Sequence, residues 1–112
     1  MPDCIFCKNL PKVMENELAF ALYDINPVTQ GHTLVIPKRH FLTLFESTSD
    51  ELKAIFELIY KGRELLLKKY QPDGFNIAAN CGAAAGQIVM HAHVHLLPRY
   101  EGQPFNPKTL MH

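Results

Sequence analysis

Histidine and apolar residues alternate over a short segment of this chain, in the order His91, Ala92, His93, Val94, His95. Successive side chains of an extended strand point to opposite faces, so this pattern predicts three imidazoles on one face and two apolar side chains on the core side. At roughly 3.3 Å per residue, neighbouring imidazoles would lie about 6–7 Å apart, close enough to surround one phosphate. Such a row indicates a functional site rather than ordinary core packing.

The rest of the chain predicts an α+β domain with a mainly antiparallel sheet. Thr48 and Glu51 have the spacing of a capping box, and apolar residues at three- and four-residue spacing continue to about Tyr70, which predicts one long helix. Apolar and β-branched runs bounded by turn residues predict the strands. These predicted strands cover residues 13–17, 18–24, 33–36, 75–80 and 89–97, and a loop of small residues covers 81–86.

Length and charge restrict the classes of function. We expect a single domain over residues 1–112, because the chain is 112 residues long and 47% hydrophobic. Lys plus Arg and Asp plus Glu number 11 each, so there is no general basic field for a nucleic acid polymer, and any phosphate needs a local site. No apolar run is long enough for a bilayer, and we expect a cytoplasmic protein without a membrane partner.

Two kinds of site are compatible with the histidine row. One is a metal site built on the row, and the other is a nucleophile with phosphate-binding neighbours. The Cys4-x-x-Cys7 pair adds a second question, because in a reducing compartment it indicates a metal site or a redox pair. A metal site is favoured, since the motif precedes every predicted strand, whereas a thioredoxin-like pair follows one.

The residues around the row resemble a known family. Gly86 and Gln87 precede the row, and Asn80 lies upstream of them. The similarity continues through Cys-Ile-Phe-Cys-Lys at 4–8, Leu-Tyr-Asp-Ile-Asn-Pro at 22–27 and Gly-His-Thr-Leu-Val-Ile-Pro-Lys-Arg-His at 31–40. In these motifs, which extend to about Arg99, the chain resembles the histidine triad (HIT) family of nucleotide-binding proteins.

The resemblance implies a hydrolase that cleaves the α-phosphate bond of nucleoside phosphoramidates or dinucleoside polyphosphates and releases AMP or GMP. His93 would attack the phosphorus and form a covalent nucleotidyl-histidine intermediate. His95 would donate to a phosphate oxygen, and Gln87 and Asn80 would act as neutral donors. His32 would orient the row, although a buried core histidine is its alternative interpretation.

The resemblance also implies a pocket for a purine nucleotide or its conjugate. Phe6, Leu22 and Ile25 would line an apolar slot for the base, and Asp24 would accept from the ribose hydroxyls. The phosphate would contact Asn80, Gln87, His93 and His95. Without the family context, Asp24 is equally well explained as a turn residue.

A structural zinc ion is implied at Cys4, Cys7, His40 and His91, with no catalytic cofactor. This assignment leaves His93 and His95 for phosphate. The alternative is that the two cysteines are reduced thiols and that His40 is a surface residue. Cys81 lies outside this set, and His112 has no assigned role.

The family further implies a HIT-like fold: a five-stranded, mainly antiparallel sheet with one long helix and a short helix, in a homodimer whose subunits form a continuous sheet. Ile88 departs from the pattern, because family members usually carry a small hydroxyl residue there. A nucleotide-binding or interaction protein with weak or vestigial hydrolase activity is therefore the alternative. Pro98-Arg99 resembles the polyphosphate-cleaving branch and Asn80 the phosphoramidase branch, so the branch stays open.

Overall fold

The computed structural model describes residues 4–104 of the chain. It contains a five-stranded sheet and one long α-helix among these residues, in the order β1 (Met14–Glu15), β2 (Ala19–Tyr23), β3 (Thr33–Pro37), α1 (Ser49–Tyr70), β4 (Gly74–Ala78) and β5 (Val94–Arg99). The strands lie in the order β1-β2-β3-β5-β4, and all four pairings are antiparallel. The predicted α+β class and antiparallel sheet are confirmed. Within 4–104 the short elements are 3-10 turns at Ile5–Cys7, Leu44–Glu46 and Ala83–Ala85.

The long helix begins and ends where its sequence predicts. Thr48 is the N-cap, its side chain accepts from the Glu51 backbone N–H, and the Glu51 carboxylate accepts from the Thr48 N–H. The helix ends at Tyr70, because its C-cap Gln71 donates the last bond of the ladder to the Leu67 carbonyl and then has a left-handed backbone that turns the chain away. Within the described residues, no helix has the length and apolar character needed to cross a membrane.

The two faces of the sheet are covered differently. One face packs against α1 in the larger core cluster, which includes Val35, Val94 and Leu96 from the sheet and Ile55, Leu58, Ile59 and Leu66 from the helix. The other face packs against the N-terminal segment in a second cluster of Cys4, Phe6, Phe20, Leu22, Leu34 and Ile36. His95 pairs directly with Leu34 across β3 and β5, so it points to this second face.

The prediction that the histidine row is one continuous strand was wrong. β5 begins at Val94, and residues 91–93 have no strand structure. The ladder between β3 and β5 ends at the Val35–Val94 pair. Beyond it, the Ala92 N–H donates to the Phe41 carbonyl, so the backbone leaves the sheet before the row is complete.

Two prolines bear on where the strands end: Pro37 stops the pairing of β3 with β5, and Pro98 is tolerated inside β5. Pro37, at the end of β3, has no N–H for the ladder, and its carbonyl accepts from the His91 side chain. Pro98 was expected to close β5 but lies inside it, paired with Phe75. The Pro98 carbonyl accepts from the Thr29 hydroxyl at 2.6 Å, beyond the end of β3. The proline nitrogen on that same side therefore interrupts no strand pairing.

Candidate active site and metal centre

A chain of hydrogen bonds fixes the proton positions on two buried histidines. The Val28 N–H donates to His32 Nδ1 at 3.1 Å, so the His32 proton lies on Nε2. His32 Nε2 lies 2.9 Å from His95 Nδ1 and donates to it, which places the His95 proton on Nε2. Both rings are almost completely buried. His32, which immediately precedes β3, thus makes His95 Nε2 a hydrogen-bond donor.

His93 has the opposite arrangement of donor and acceptor. Its Nδ1 lies 2.7 Å from the backbone carbonyl of His91. A carbonyl only accepts, so Nδ1 carries the proton and Nε2 carries the lone pair. The rings of His93 and His95 are 5.0 Å apart between centroids, closer than a regular strand would give. This pair can present a nucleophilic nitrogen beside an N–H donor, which suits attack on a phosphoryl group.

The pair opens onto a pocket of about 400 Å³ whose wall is mainly apolar. The predicted nucleotide-site residues Phe6, Leu22, Asp24, Ile25, His93 and His95 all line it. Ile5, Leu34 and Val89 line it as well, and the sequence reading missed them. Alternation along β3 places Leu34 on the face of Leu22, which is the signal that would have identified it.

The Asp24 carboxylate takes part in a local turn and also borders the pocket. Its Oδ1 accepts from the Asn26 backbone N–H at 3.0 Å, which is local turn chemistry. Its Oδ2 lies 3.7 Å from His32 Nε2, and the residue borders the pocket. The turn therefore holds a carboxylate at the pocket wall.

Gln87 and Asn80 lie behind the pocket rather than on its wall. Gln87 Nε2 donates to the Leu42 and Val89 carbonyls, and its Oε1 accepts from the Gly82 N–H. Asn80 Nδ2 donates weakly to the Gly86 carbonyl at 3.4 Å, and within residues 4–104 its buried Oδ1 has no partner. Neither side chain is among the lining residues of the described chain.

The first histidine of the row belongs to a different cluster. His91 Nδ1 lies 3.2 Å from Cys4 Sγ, 3.5 Å from Cys7 Sγ and 3.1 Å from His40 Nδ1. Cys7 Sγ lies 3.2 Å from His40 Nδ1, and the four ligand atoms all lie within 4.8 Å of one another. Tetrahedral zinc with bonds of about 2.0–2.3 Å separates its ligands by about 3.3–3.8 Å. The four residues therefore fit a zinc ion.

The groups around this cluster support the same interpretation. His91 Nε2 donates to the Pro37 carbonyl at 2.8 Å, which leaves the Nδ1 lone pair directed at the cluster. Burial lowers the pKa of His91, so the neutral ligand form is favoured. The Cys4 side chain raises the pKa of the Cys7 thiol, and a cation between the two sulfurs would reverse that effect.

A second group, Asp24, His32 and His95, also has ligand atoms within 4.8 Å. Here the relay from Val28 already places a proton between the two imidazoles, because His32 Nε2 donates to His95 Nδ1. The group is therefore better described as a hydrogen-bonded relay than as a metal centre.

The sequence analysis missed an ion pair that lies next to the metal cluster, the group of possible ligands Cys4, Cys7, His40 and His91. Arg39, which precedes His40, donates from Nε and Nη2 to the Glu51 carboxylate at 2.9 and 2.8 Å. The Arg39 side chain, which donates these bonds, lowers the pKa of Glu51 to about 2. Glu51 was recognised as a helix-capping residue, which accounts for only part of what it does.

Comparison with known proteins gives a consistent result. A family model described as HIT domain matches residues 8–102. The chain is 36% identical to adenosine 5'-monophosphoramidase of Schizosaccharomyces pombe, over 87% of this chain and 74% of the relative. It is also 36% identical to an adenylylsulfatase of Arabidopsis thaliana, over 88% of this chain and 53% of that protein. A crystal structure of a zinc-bound histidine triad family protein from Mycobacterium smegmatis superposes with a TM-score of 0.84 at 33% identity, covering 95% of this chain and 81% of that one.

Proposed function

This chain belongs to the HIT domain family, and from that premise we propose that it hydrolyses nucleotide conjugates at the α-phosphate through a covalent nucleotidyl-histidine at His93. The observation that carries the proposal is the order of proton positions, with a lone pair on His93 Nε2 and a proton on His95 Nε2. The relatives named as a phosphoramidase and an adenylylsulfatase support a nucleotide substrate with a variable leaving group.

In the proposed reaction, His93 Nε2 attacks the α-phosphorus, and the bond to the leaving group breaks as the new P–N bond forms. The leaving group departs with the electron pair, and solvent supplies its proton. Water then attacks the same phosphorus, and the P–N bond breaks as the P–O bond forms, which returns the electron pair to His93 Nε2. The attacking water loses one proton to solvent, and the nucleoside monophosphate is released. His95 donates to a non-bridging oxygen, where charge grows in each transition state.

The two amide side chains are proposed to assist from behind the phosphate. Asn80 has a weak bond to Gly86, so its amide can turn toward the phosphate at little cost. Gln87 would first exchange one of its two carbonyl partners for substrate. We assign Asn80 and Gln87 to the phosphate and the leaving group on this basis.

The nucleoside is proposed to occupy the apolar pocket next to the pair. Phe6, Leu22 and Ile25 would contact the purine, and Asp24 would accept from the 2′- and 3′-hydroxyls. Nucleoside phosphoramidates, nucleotidyl-lysine adducts and dinucleoside polyphosphates all present the required α-phosphate.

The experiment measures AMP release from an adenosine phosphoramidate, a diadenosine polyphosphate and adenylyl sulfate. The His93→Gly variant is expected to be inactive and to recover adenylyl transfer when free imidazole is added, because imidazole replaces the missing nucleophile. His95→Gly is the matched control, and imidazole is expected to leave it unrescued. AMP release that persists in His93→Gly without imidazole would remove the proposed nucleophile.

A second candidate function is nucleotide binding with weak or vestigial hydrolysis. Ile88 supports it, because this side chain lines the pocket, is 70% exposed and has no hydroxyl group to offer a leaving group. Tight AMP binding by calorimetry with negligible turnover of all three substrates would favour this alternative.

We further propose that the metal at Cys4, Cys7, His40 and His91 is a structural zinc, and that no metal acts in the reaction. The zinc-bound relative supports the identity of the ion. Metal analysis should give one zinc per chain in the wild type and none in Cys7→Ser, with Cys81→Ser as the control. Activity lost on chelation while the protein stays folded and still binds nucleotide would favour a catalytic metal instead.

A homodimer is the proposed assembly. β4 is an edge of the sheet, and Ile77 on it is 55% exposed. Phe56 and Tyr60, one turn apart on α1, are 45% and 68% exposed. An exposed edge strand and large exposed apolar side chains on the helix each favour pairing with a second copy. Sedimentation should give a dimer for the wild type and a shift toward monomer for Tyr60→Glu.

A further inference from the structure

The wall of the pocket that contacts His93 is formed by residues enclosed between two ligands of the metal cluster. Ile5 and Phe6 lie between Cys4 and Cys7 in one 3-10 turn. Both line the pocket, and the Phe6 ring centroid is 5.1 Å from that of His93. The wall and the cluster are thus two sides of one short turn.

The attachment of this turn to the rest of the protein depends on the cysteines. Its backbone bonds, Cys7 N–H to Cys4 and Lys8 N–H to Ile5, are internal to the turn. Among residues 4–104, the hydrogen bonds that join 4–12 to the remainder of the chain run through the cysteine sulfurs to His91 and His40. The other supports are apolar contact in the second core cluster, which includes Cys4 and Phe6 themselves, the edge contacts of the Phe6 ring with the His91 and His93 rings, and the Lys12 ammonium over the Phe20 ring.

We propose that Cys4 and Cys7, by binding the metal ion, hold Ile5 and Phe6 against the pocket, so that nucleotide binding and metal binding are thermodynamically linked. This inference rests on the proposed function, since it takes the pocket as the nucleotide site. Without the metal, the turn keeps weak sulfur contacts and a few apolar ones, and a nucleotide must order it on binding. That ordering cost appears as a lower affinity.

Linkage is reciprocal, so the factor by which zinc strengthens AMP binding equals the factor by which AMP strengthens zinc binding. We expect a factor of about ten or more, which corresponds to roughly 1.4 kcal/mol of coupling. A zinc site that only stabilises the fold at a distance from the pocket would give a factor of one in folded protein.

The experiment measures the AMP dissociation constant by calorimetry for zinc-loaded and chelated wild-type protein, with helix content followed by circular dichroism. The zinc dissociation constant is then measured by chelator competition, with and without saturating AMP. We expect chelation to raise the AMP constant about tenfold or more, and AMP to lower the zinc constant by the same factor. Cys7→Ser should reproduce the chelated protein, and Cys81→Ser should behave as wild type.

Two pocket variants separate this linkage from general stabilisation. Phe6→Ala removes the contact inside the turn, so the coupling factor should fall toward one at saturating AMP. Ile25→Ala removes a pocket contact outside the turn, and the coupling should survive. Equal coupling in both variants would overturn the proposal even where chelation unfolds the protein.

The remaining outcomes are equally distinct. An unchanged AMP constant in chelated, folded protein overturns the linkage and leaves the proposed function standing. A zinc-loaded wild type that binds no AMP removes the nucleotide site and the linkage with it.

Discussion

The histidine row has one end at His91 and the other at the pair His93 and His95, and the two ends use the same side chain in opposite ways. His91 donates from Nε2 to the Pro37 carbonyl and directs its Nδ1 lone pair at two thiols and a second imidazole. His93 donates from Nδ1 to the carbonyl of His91 itself, which leaves the lone pair on Nε2. The nearest backbone carbonyl decides which nitrogen of each ring is available.

The groups around the two ends favour ligands of opposite charge. Around His91, two sulfur atoms and two imidazole nitrogens lie within 4.8 Å of one another, an arrangement that a cation would stabilise. Around His93 and His95, a lone pair stands beside an N–H donor at the end of a relay from Val28. That combination suits a phosphorus atom and its oxygen. A cation site and a phosphate site can therefore adjoin because the proton positions change within two residues.

The largest expected effect comes from comparing alanine variants of His91 and His93. His93→Ala should lower kcat by about 10⁴-fold or more, because the nucleophile is lost. Its free energy of unfolding should fall by only about 1–2 kcal/mol, because a buried ring and one hydrogen bond are lost. His91→Ala should lose the zinc and about 3–5 kcal/mol of unfolding free energy. Turnover, metal analysis and urea unfolding check both variants.

His91→Ala keeps the backbone carbonyl that accepts from His93 Nδ1. Under conditions where this variant is folded, its kcat at saturating substrate should stay within about tenfold of the wild type. If both variants lose turnover equally, the separation of the two ends is wrong.

The next effect tests the hydrogen-bond relay that determines which nitrogen of His95 carries the proton. His32→Ala removes the donor to His95 Nδ1 and should lower kcat by roughly 10²-fold, since the ring can then adopt the wrong tautomer. Substrate affinity should change much less. Nitrogen chemical shifts of labelled histidine should show the His95 proton on Nε2 in the wild type and a mixture in the variant. A wild-type His95 proton on Nδ1 would contradict the step from His32 to His95.

Sequence reasoning succeeded where local rules determine the structure. The capping box at Thr48 and the pattern of α1 were sufficient to place the helix, and the predicted strands at 13–17 and 18–24 contain β1 and β2. The four proposed metal ligands, taken from the family motif, do lie together.

Reasoning from alternation failed at residues 91–93, because alternation assumes that this segment pairs with a neighbouring strand. β3 ends at Pro37, whose carbonyl accepts from the His91 side chain, and the Ala92 N–H donates to the Phe41 carbonyl outside the sheet. The nitrogen used by each histidine depends on a backbone carbonyl that the fold brings to the ring, that of Pro37 for His91 and that of His91 for His93, so the motif alone could not assign it. The three backbone partners of Gln87 are likewise a product of the folded loops.

A smaller effect concerns the ion pair next to the metal end. The folded-state pKa of Glu51 is about 2, below its ordinary value of 4.5, so its stabilising contribution is present above pH 4.5 and is lost as the pH falls toward 2. Glu51→Gln should cost about 1–2 kcal/mol at pH 7, and this cost should fall by about half by pH 3. Urea unfolding at the two pH values measures it. A cost that does not change with pH would assign the residue to helix capping alone.

The smallest effect is expected at the mouth of the pocket, where Ile88 is exposed and lines the wall near His93. Ile88→Ser should raise kcat by about two- to tenfold, because the hydroxyl can donate to the departing group as its charge develops. The change at an exposed position should alter unfolding free energy by no more than about 0.5 kcal/mol. Ile88→Ala is the matched control, since it removes the same bulk without adding a donor. An equal gain in kcat for both variants would mean that the Ile88 side chain restricts access to the pocket. An added hydroxyl donor would then contribute nothing to the departure of the leaving group.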